Sequence, residues 1–252
     1  MALNPRILIV AGTDPTGGAG IVRDIETAAH MRVDASIAIT SVNVQDDMCV
    51  SQKHPISGEI IAHQMSAVLQ AQKIDAIKIG MTGTSDSIDA ITQILTAYPV
   101  VPVIFDPVIM ASSGGYLVDN ACIDAIKAKL LKHCYCVTPN LFELSRLSNS
   151  ELAENELIAI EQAKNIFNFG VPNILIKGGH AAGKTSNDIL LNTSTQKIFT
   201  NPRINTSMRG TGCILSTAIA CHIALGKHLN TAIEEAKNYV FHLLEKNKKC
   251  KI

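Results

Sequence analysis

Arg209-Gly210-Thr211-Gly212-Cys213 stands directly before an apolar run, Ile214, Leu215, Ala218 and Ile219, whose spacing is helical. Two glycines and a short hydroxyl residue let successive backbone amides point together at a helix N-terminus, where the dipole adds about half a positive charge. Gly210, Thr211 and Gly212 therefore read as an anion hole for a transferring phosphoryl group. Cys213 falls in the first turn, where a thiol pKa can drop from about 8.5 toward neutrality and leave the sulfur a usable base. The competing reading is a buried, inert cysteine.

Two other glycine-rich strings need sorting. Gly12, Gly17, Gly18 and Gly20 lie between the first predicted strand and the first predicted helix. A dinucleotide fingerprint fails there, because Gly18-Ala19-Gly20 requires a small residue at position 23, where Arg23 stands. A tight turn does not need four glycines within nine residues, so the string predicts a loop whose backbone closely approaches a small ligand. Residues 178–185 match the Walker A pattern formally, with Gly178, Gly183, Lys184 and Thr185 in place. That loop works by opening into a helix, whereas Ser186-Asn187-Asp188 leads into a β-like run, so it is rejected as a phosphate loop.

The elements that must carry these segments alternate short β-rich runs with longer amphipathic stretches, the pattern of a mostly parallel sheet with helices on both faces. Strands are predicted over 7–11, 36–40, 74–79, 101–106, 134–138 and 173–177, and helices over 18–30 and 57–71. The 57–71 helix has Ser57 as N-cap, with Ile60, Ile61, Met65 and Val68 as its apolar stripe. An antiparallel hairpin at the sheet edge is predicted over 188–199 around the polar turn 192–195. Closing helices follow over 212–224 and 230–246, with Gly226 available to stop the first.

At 252 residues the chain fits a single α/β domain spanning 1–252, and the 47% of hydrophobic residues would supply its core. A formal charge of zero argues against nucleic acid as a partner, and no apolar run reaches membrane-spanning length. Seven scattered cysteines, an odd number, read as reduced thiols in a cytoplasmic protein. Cys134 and Cys136, two apart in a predicted strand, are expected to pack on one face rather than bind metal. The basic stretch 246–252 reads as a solvated helix end.

The glycine-rich string at residues 11–20 together with Gly210-Thr211-Gly212-Cys213 resembles hydroxymethylpyrimidine/phosphomethylpyrimidine kinase of thiamin synthesis. Matches in register between them include Asp24, Gln45, Lys78-Ile79-Gly80-Met81, Asp106-Pro107-Val108, Thr138 to Glu143 and Lys177-Gly178-Gly179-His180. The resemblance implies a ribokinase-like fold, a three-layer α/β/α sandwich with a mostly parallel central sheet. It implies transfer of the γ-phosphoryl group of ATP, with Mg²⁺ as cofactor, to a small molecule, and a homodimer is the assembly expected. Asp24 and Gln45 would hydrogen-bond the amino-pyrimidine edge, with Gly12, Met81 and Val108 as its walls. Asp106 and Glu143 would organise Mg²⁺ through water, Asn140 would contact phosphate or metal-bound water, and Lys177 would neutralise the ATP phosphates. Gly210, Thr211 and Gly212 would serve as anion hole and Cys213 as base.

Two positions depart from the family pattern. Residues 109–115 lack the lysine many relatives carry, and Arg209 stands where histidine is common, so Arg209 is expected to hold a phosphate or to restrict the enzyme to one step. The rival readings are pyridoxal kinase, a non-catalytic pyrimidine- or nucleotide-binding protein, and a redox-active thiol protein built on Cys213.

Overall fold

A computed structural model of the chain describes residues 4–111, 114–179 and 183–250. In chain order its elements are β1 (Arg6–Gly12), α1 (Gly20–His30), β2 (Asp34–Gln45), β3 (Val50–Pro55), α2 (Gly58–Ala71), β4 (Ala76–Ile79), α3 (Ser85–Ala97), β5 (Val103–Phe105) and α4 (Asn120–Ala125). The second half adds β6 (Cys136–Val137), α5 (Leu141–Ser148), α6 (Glu156–Ile166), β7 (Asn173–Ile176), β8 (Thr185–Asn192), β9 (Gln196–Pro202), α7 (Thr211–Ala224) and α8 (Leu229–Cys250).

All these strands join one sheet in the order β3-β2-β1-β4-β5-β6-β7-β8-β9. From β2 to β7 the pairings are parallel, while β3 at one edge and β8 and β9 at the other are antiparallel. The two faces of β1 explain the layers. Leu8 and Val10 enter a core with α2, α3, α4, α5 and α6, whereas Ile7, Ile9 and Ala11 enter the opposite core with α1, α7 and α8. This is the expected three-layer α/β/α sandwich.

The connections leave β1 and β4 by opposite faces: α1 carries the chain from β1 to β2 on one face, and α2 carries it back to β4 on the other. The crevice between the carboxyl ends of β1 and β4 is thus a topological switch point, where open α/β sheets bind their ligands. Gly12 closes β1 there, and Met81 follows β4.

Local chemistry sets the boundaries. Ser57 caps α2 by accepting the Ile60 N–H at 3.5 Å, and Asp86 accepts the Gly58 N–H at 2.6 Å. The buried stripe of α2 is Ile61, Met65 and Leu69, an i, i+4, i+8 row, and Ile60 faces solvent instead of joining it. The β8–β9 turn closes on Asn192, whose Oδ1 accepts the Ser194 and Thr195 N–H groups at 2.9 and 2.7 Å.

Strand β3 was not legible in the sequence, because residues 51–55 are all exposed and carry no apolar alternation. Its pairing depends instead on the turn before it, where Asp46 Oδ1 accepts the Met48 and Cys49 N–H groups at 2.8 Å each. The expectation for Cys134 and Cys136 is corrected. Cys134 ends a helical turn, its thiol directed at Leu130 O, and packs in the α2–α6 core, whereas Cys136 on β6 faces α7. The strand starts only at Cys136, so strand alternation does not relate the two.

Candidate active site

The site is assembled by close approaches that tolerate only glycine. Gly210, the N-cap of α7, has φ +74°, and a Cβ there would lie 2.4 Å from Gly18 O. Gly20, with φ +62°, would place a Cβ 2.5 Å from Gly12 O, and Gly12 in turn lies against Met81 Sδ. The two glycine-rich strings therefore interlock with each other. What approaches their backbone is protein, a reason for the glycines that the ligand-loop expectation did not include. Replacing Gly210 with Ala is expected to cost about 1–3 kcal/mol through strain and forced separation of the loops. That would lower the melting temperature by about 2–4 °C per kcal/mol, and a thermal melt run beside an ATP turnover assay checks it.

At the start of α7 the first intrahelical bond is Ile214 N–H to Gly210 O at 2.9 Å, so the amides of Thr211, Gly212 and Cys213 precede the hydrogen-bond ladder. No side chain caps this helix. Cys213 is half-buried, with the Gly20 N–H directed at its sulfur. Burial pushes its thiol up to about 11, against the downward pull of the Lys78 ammonium. This corrects the expectation of a thiol near neutrality, because loss of hydration outweighs the pull of Lys78 and of the Gly20 N–H.

Beside Gly212 lies a charged cluster. Lys177 Nζ is 2.5 Å from Asp106 Oδ1 and 3.5 Å from Glu143 Oε2. Thr138 Oγ1 and Ser216 Oγ donate to the two Asp106 oxygens at 3.4 Å each, and a Cβ on Gly212 would touch Lys177 Nζ at 3.4 Å. Burial alone would lower Lys177, but Asp106 and then Glu143 hold it well above its ordinary value. Glu143 is pushed up to about 7, by burial first, with Lys177 opposing.

Asn140 and Glu143 form a capping box at the start of α5. Asn140 Oδ1 accepts the Glu143 N–H, and Glu143 Oε2 accepts the Asn140 N–H, both at 2.8 Å. The cap fixes the carboxylate that Lys177 meets, so Asn140 acts on the cluster by orienting Glu143. Among the described residues its amide nitrogen has no partner, which leaves a donor for phosphate or water.

The pocket walls come together as a small apolar group: Met81, Ala111 and Leu117, with Val50 and Val108 packed against them. Gln45 ends β2 half-buried, past the level of Gly12. Asn43, which sequence reading missed, is buried beside it, donating to Thr13 O at 3.0 Å and to Met81 Sδ at 3.5 Å. An alternating buried polar residue at the carboxyl end of a strand was the signal available for it.

Two expectations are corrected. Asp24 is fully buried, and both of its oxygens are taken, by Lys78 Nζ at 2.6 Å and Thr217 Oγ1 at 2.7 Å, so it presents nothing to a pyrimidine. Arg209 does not offer its guanidinium to a phosphate. It holds Asp14 at 2.9 Å, Thr16 at 3.1 Å and Asp47, pinning the β1–α1 loop to the β2–β3 turn, because those carboxylates reach it first. Of the two segments in doubt for phosphate handling, Ser112 and Ser113 lie outside the described residues, as does His180. In the Walker-like string Thr185 opens β8, a strand, and Arg203 binds the carbonyls of Gly178, Gly179, Gly183 and Thr185.

The sequence profile of the phosphomethylpyrimidine kinase family matches residues 14–251. The chain belongs to this family. It is 34% identical to the hydroxymethylpyrimidine/phosphomethylpyrimidine kinase of Escherichia coli K12 over 92% of this chain and 88% of that one. It is 35% identical to a Geobacter sulfurreducens thiamine biosynthesis bifunctional protein over 93% of this chain, which spans only 48% of that longer protein. The fold is ribokinase-like, and an ADP complex of Bacillus subtilis pyridoxal kinase superposes with a TM-score of 0.87 at 28% identity, covering 94% of this chain and 90% of that one.

Proposed function

We propose that this chain transfers the γ-phosphoryl group of ATP to the hydroxymethyl group of 4-amino-5-hydroxymethyl-2-methylpyrimidine, and then to the resulting monophosphate, in thiamin diphosphate synthesis. The observation that carries this reading is a chain of contacts: Met81 touches Gly12, Gly12 meets Gly20, and Gly20 N–H faces Cys213, one residue from the Gly212 that lies on Lys177 and Asp106. These contacts support a reading in which apolar bed, thiol, anion hole and phosphate-neutralising charge adjoin one another.

Met81 and Val108 would clasp the ring, and Gln45 would satisfy its polar edge with a donor and an acceptor. The amides of Thr211, Gly212 and Cys213 would receive the charge that develops on the transferring group. Lys177 would move from its carboxylates to the ATP phosphates. Asp106 and Glu143 are a donor set that fits Mg²⁺, two hard oxygen ligands beside a phosphate site. Among the described residues no group of three acidic, His or Cys side chains forms a closed metal cage. When bound, Mg²⁺ supplies neutralisation of phosphate charge. In its thiolate form Cys213 would take the hydroxyl proton as the acceptor oxygen attacks.

Cytoplasmic location and a homodimer belong to the same proposal. Cys49, Cys122, Cys134, Cys136, Cys213 and Cys221 are free thiols, as in a reducing compartment, and no described helix is long and apolar enough to cross a membrane. The likeness to a pyridoxal kinase favours pyridoxal as a second reading, since both acceptors are hydroxymethyl heteroaromatics. A turnover panel with ATP, hydroxymethylpyrimidine, its monophosphate and pyridoxal separates them. The expected kcat/KM for hydroxymethylpyrimidine exceeds that for pyridoxal by about 10- to 100-fold, the effect of about 1–3 kcal/mol for a mispaired buried edge. A preference for pyridoxal overturns the assignment.

A further inference from the structure

Strand β4 is buried on both faces, and its residues alternate: Ile77 and Ile79 enter the α2–α6 core, so Lys78 between them faces α1 and α7. Lys78 is fully buried. An ammonium in the middle of a sheet is costly even when paired, and a well-packed apolar residue commonly serves stability as well or better. Its presence therefore points to a task other than holding the sheet together.

The surroundings show what the ammonium faces. Its Nζ is 2.6 Å from Asp24 Oδ2, and Thr217 Oγ1 donates to the other Asp24 oxygen at 2.7 Å. Thr217 lies four residues after Cys213 on α7, hence on the same face of that helix. Gly80 leaves room for the ammonium, since a Cβ there would sit 2.8 Å from Nζ. The charged groups acting on the Cys213 sulfur are Lys78 from β4, Asp24 from α1, Asp106 after β5 and Lys177 after β7, together with the Gly20 N–H. Of the two cations, Lys78 is the one tied to the Cys213 face of α7, through Asp24 and Thr217.

We propose that Lys78 is a positioning residue for Cys213: clamped by Asp24 and Thr217, it is the fixed positive charge against which the Cys213 thiolate forms, and it touches neither substrate. Burial would push its own proton off, but the Asp24 carboxylate, aided by Asp106, keeps it charged. Asp24 thereby acts on the site at one remove, which accounts for a carboxylate that is present beneath the pocket yet closed to any ligand.

The consequence for turnover rests on the reading of Cys213 as base, so the test reads the thiol directly. Alkylation of the intact protein by iodoacetamide is followed from pH 7 to alkaline pH, with peptide mass spectrometry isolating Cys213 from the other cysteines. In Lys78→Met the midpoint for Cys213 is expected to rise by about one unit or more, a roughly tenfold loss of alkylation rate below the midpoint. The double variant Lys78→Met/Asp24→Asn removes both charges, so it avoids a lone buried carboxylate. It is expected to show a smaller rise of the same sign, because Asp24 opposes Lys78 at the sulfur. An unchanged midpoint in whichever of the two folds by circular dichroism overturns the proposal. A raised midpoint with unchanged phosphorylation of the alcohol acceptor supports it and shows instead that Cys213 is not the base.

Discussion

Replacing Cys213 with alanine is expected to lower phosphorylation of hydroxymethylpyrimidine by about 10²- to 10⁴-fold while affecting transfer to its monophosphate far less. An alcohol acceptor is almost wholly protonated at neutral pH and benefits from a positioned base. A phosphate monoester, with a second pKa near 6, is already largely dianionic and can attack without losing a proton. The backbone anion hole serves both transfers and survives the substitution. The buried thiol adds a pH signature. With its pKa pushed up to about 11, Cys213 is protonated at pH 7, and its thiolate fraction grows with each unit of pH. kcat/KM for the alcohol should therefore climb by about tenfold per unit between pH 7 and 9, whereas that for the monophosphate should stay nearly flat. Single-turnover rates of wild type and Cys213→Ala on each acceptor decide the matter. Equal losses on both would assign Cys213 a structural role.

Lys177→Ala should reduce ATP turnover with either acceptor by about 10²- to 10³-fold, the loss typical of removing one preorganised stabiliser of transition-state charge. It should also weaken the fold, because Asp106 and Glu143 lose the cation set between them and two buried carboxylates are left to repel each other. Lys184→Ala is the contrast. Lys184 is exposed, and the residue after it opens a strand rather than a helix, so turnover should be nearly unchanged. Steady-state assays at saturating acceptor, with ATP varied, compare the two variants. Dependence on Lys184 rather than Lys177 would move the phosphate site into the 178–185 loop.

What the sequence determined by itself was whatever depends on residue type and short spacing. The continuous apolar run of β1, the Ser57 cap, the Asn192 turn and the β-run after Lys184 are local, and they placed most strands and helices within a few residues. The two glycine-rich strings were recognisable because only glycine permits such close backbone approaches, and the predicted strands 101–106 and 173–177 put Asp106 and Lys177 at strand carboxyl ends, which the sheet then brings to either side of β6. What only the tertiary structure decided was which polar groups meet. Asp24 finds Lys78 at a separation of 54 residues and Thr217 at 193, and Arg209 finds Asp14 at 195, so no short window of sequence contains any of the three pairs. The same holds for proton affinity. Cys213 occupies the first turn of a helix in both descriptions, yet its thiol is raised rather than lowered, because desolvation is set by everything packed around the sulfur, which residue type and short spacing do not contain.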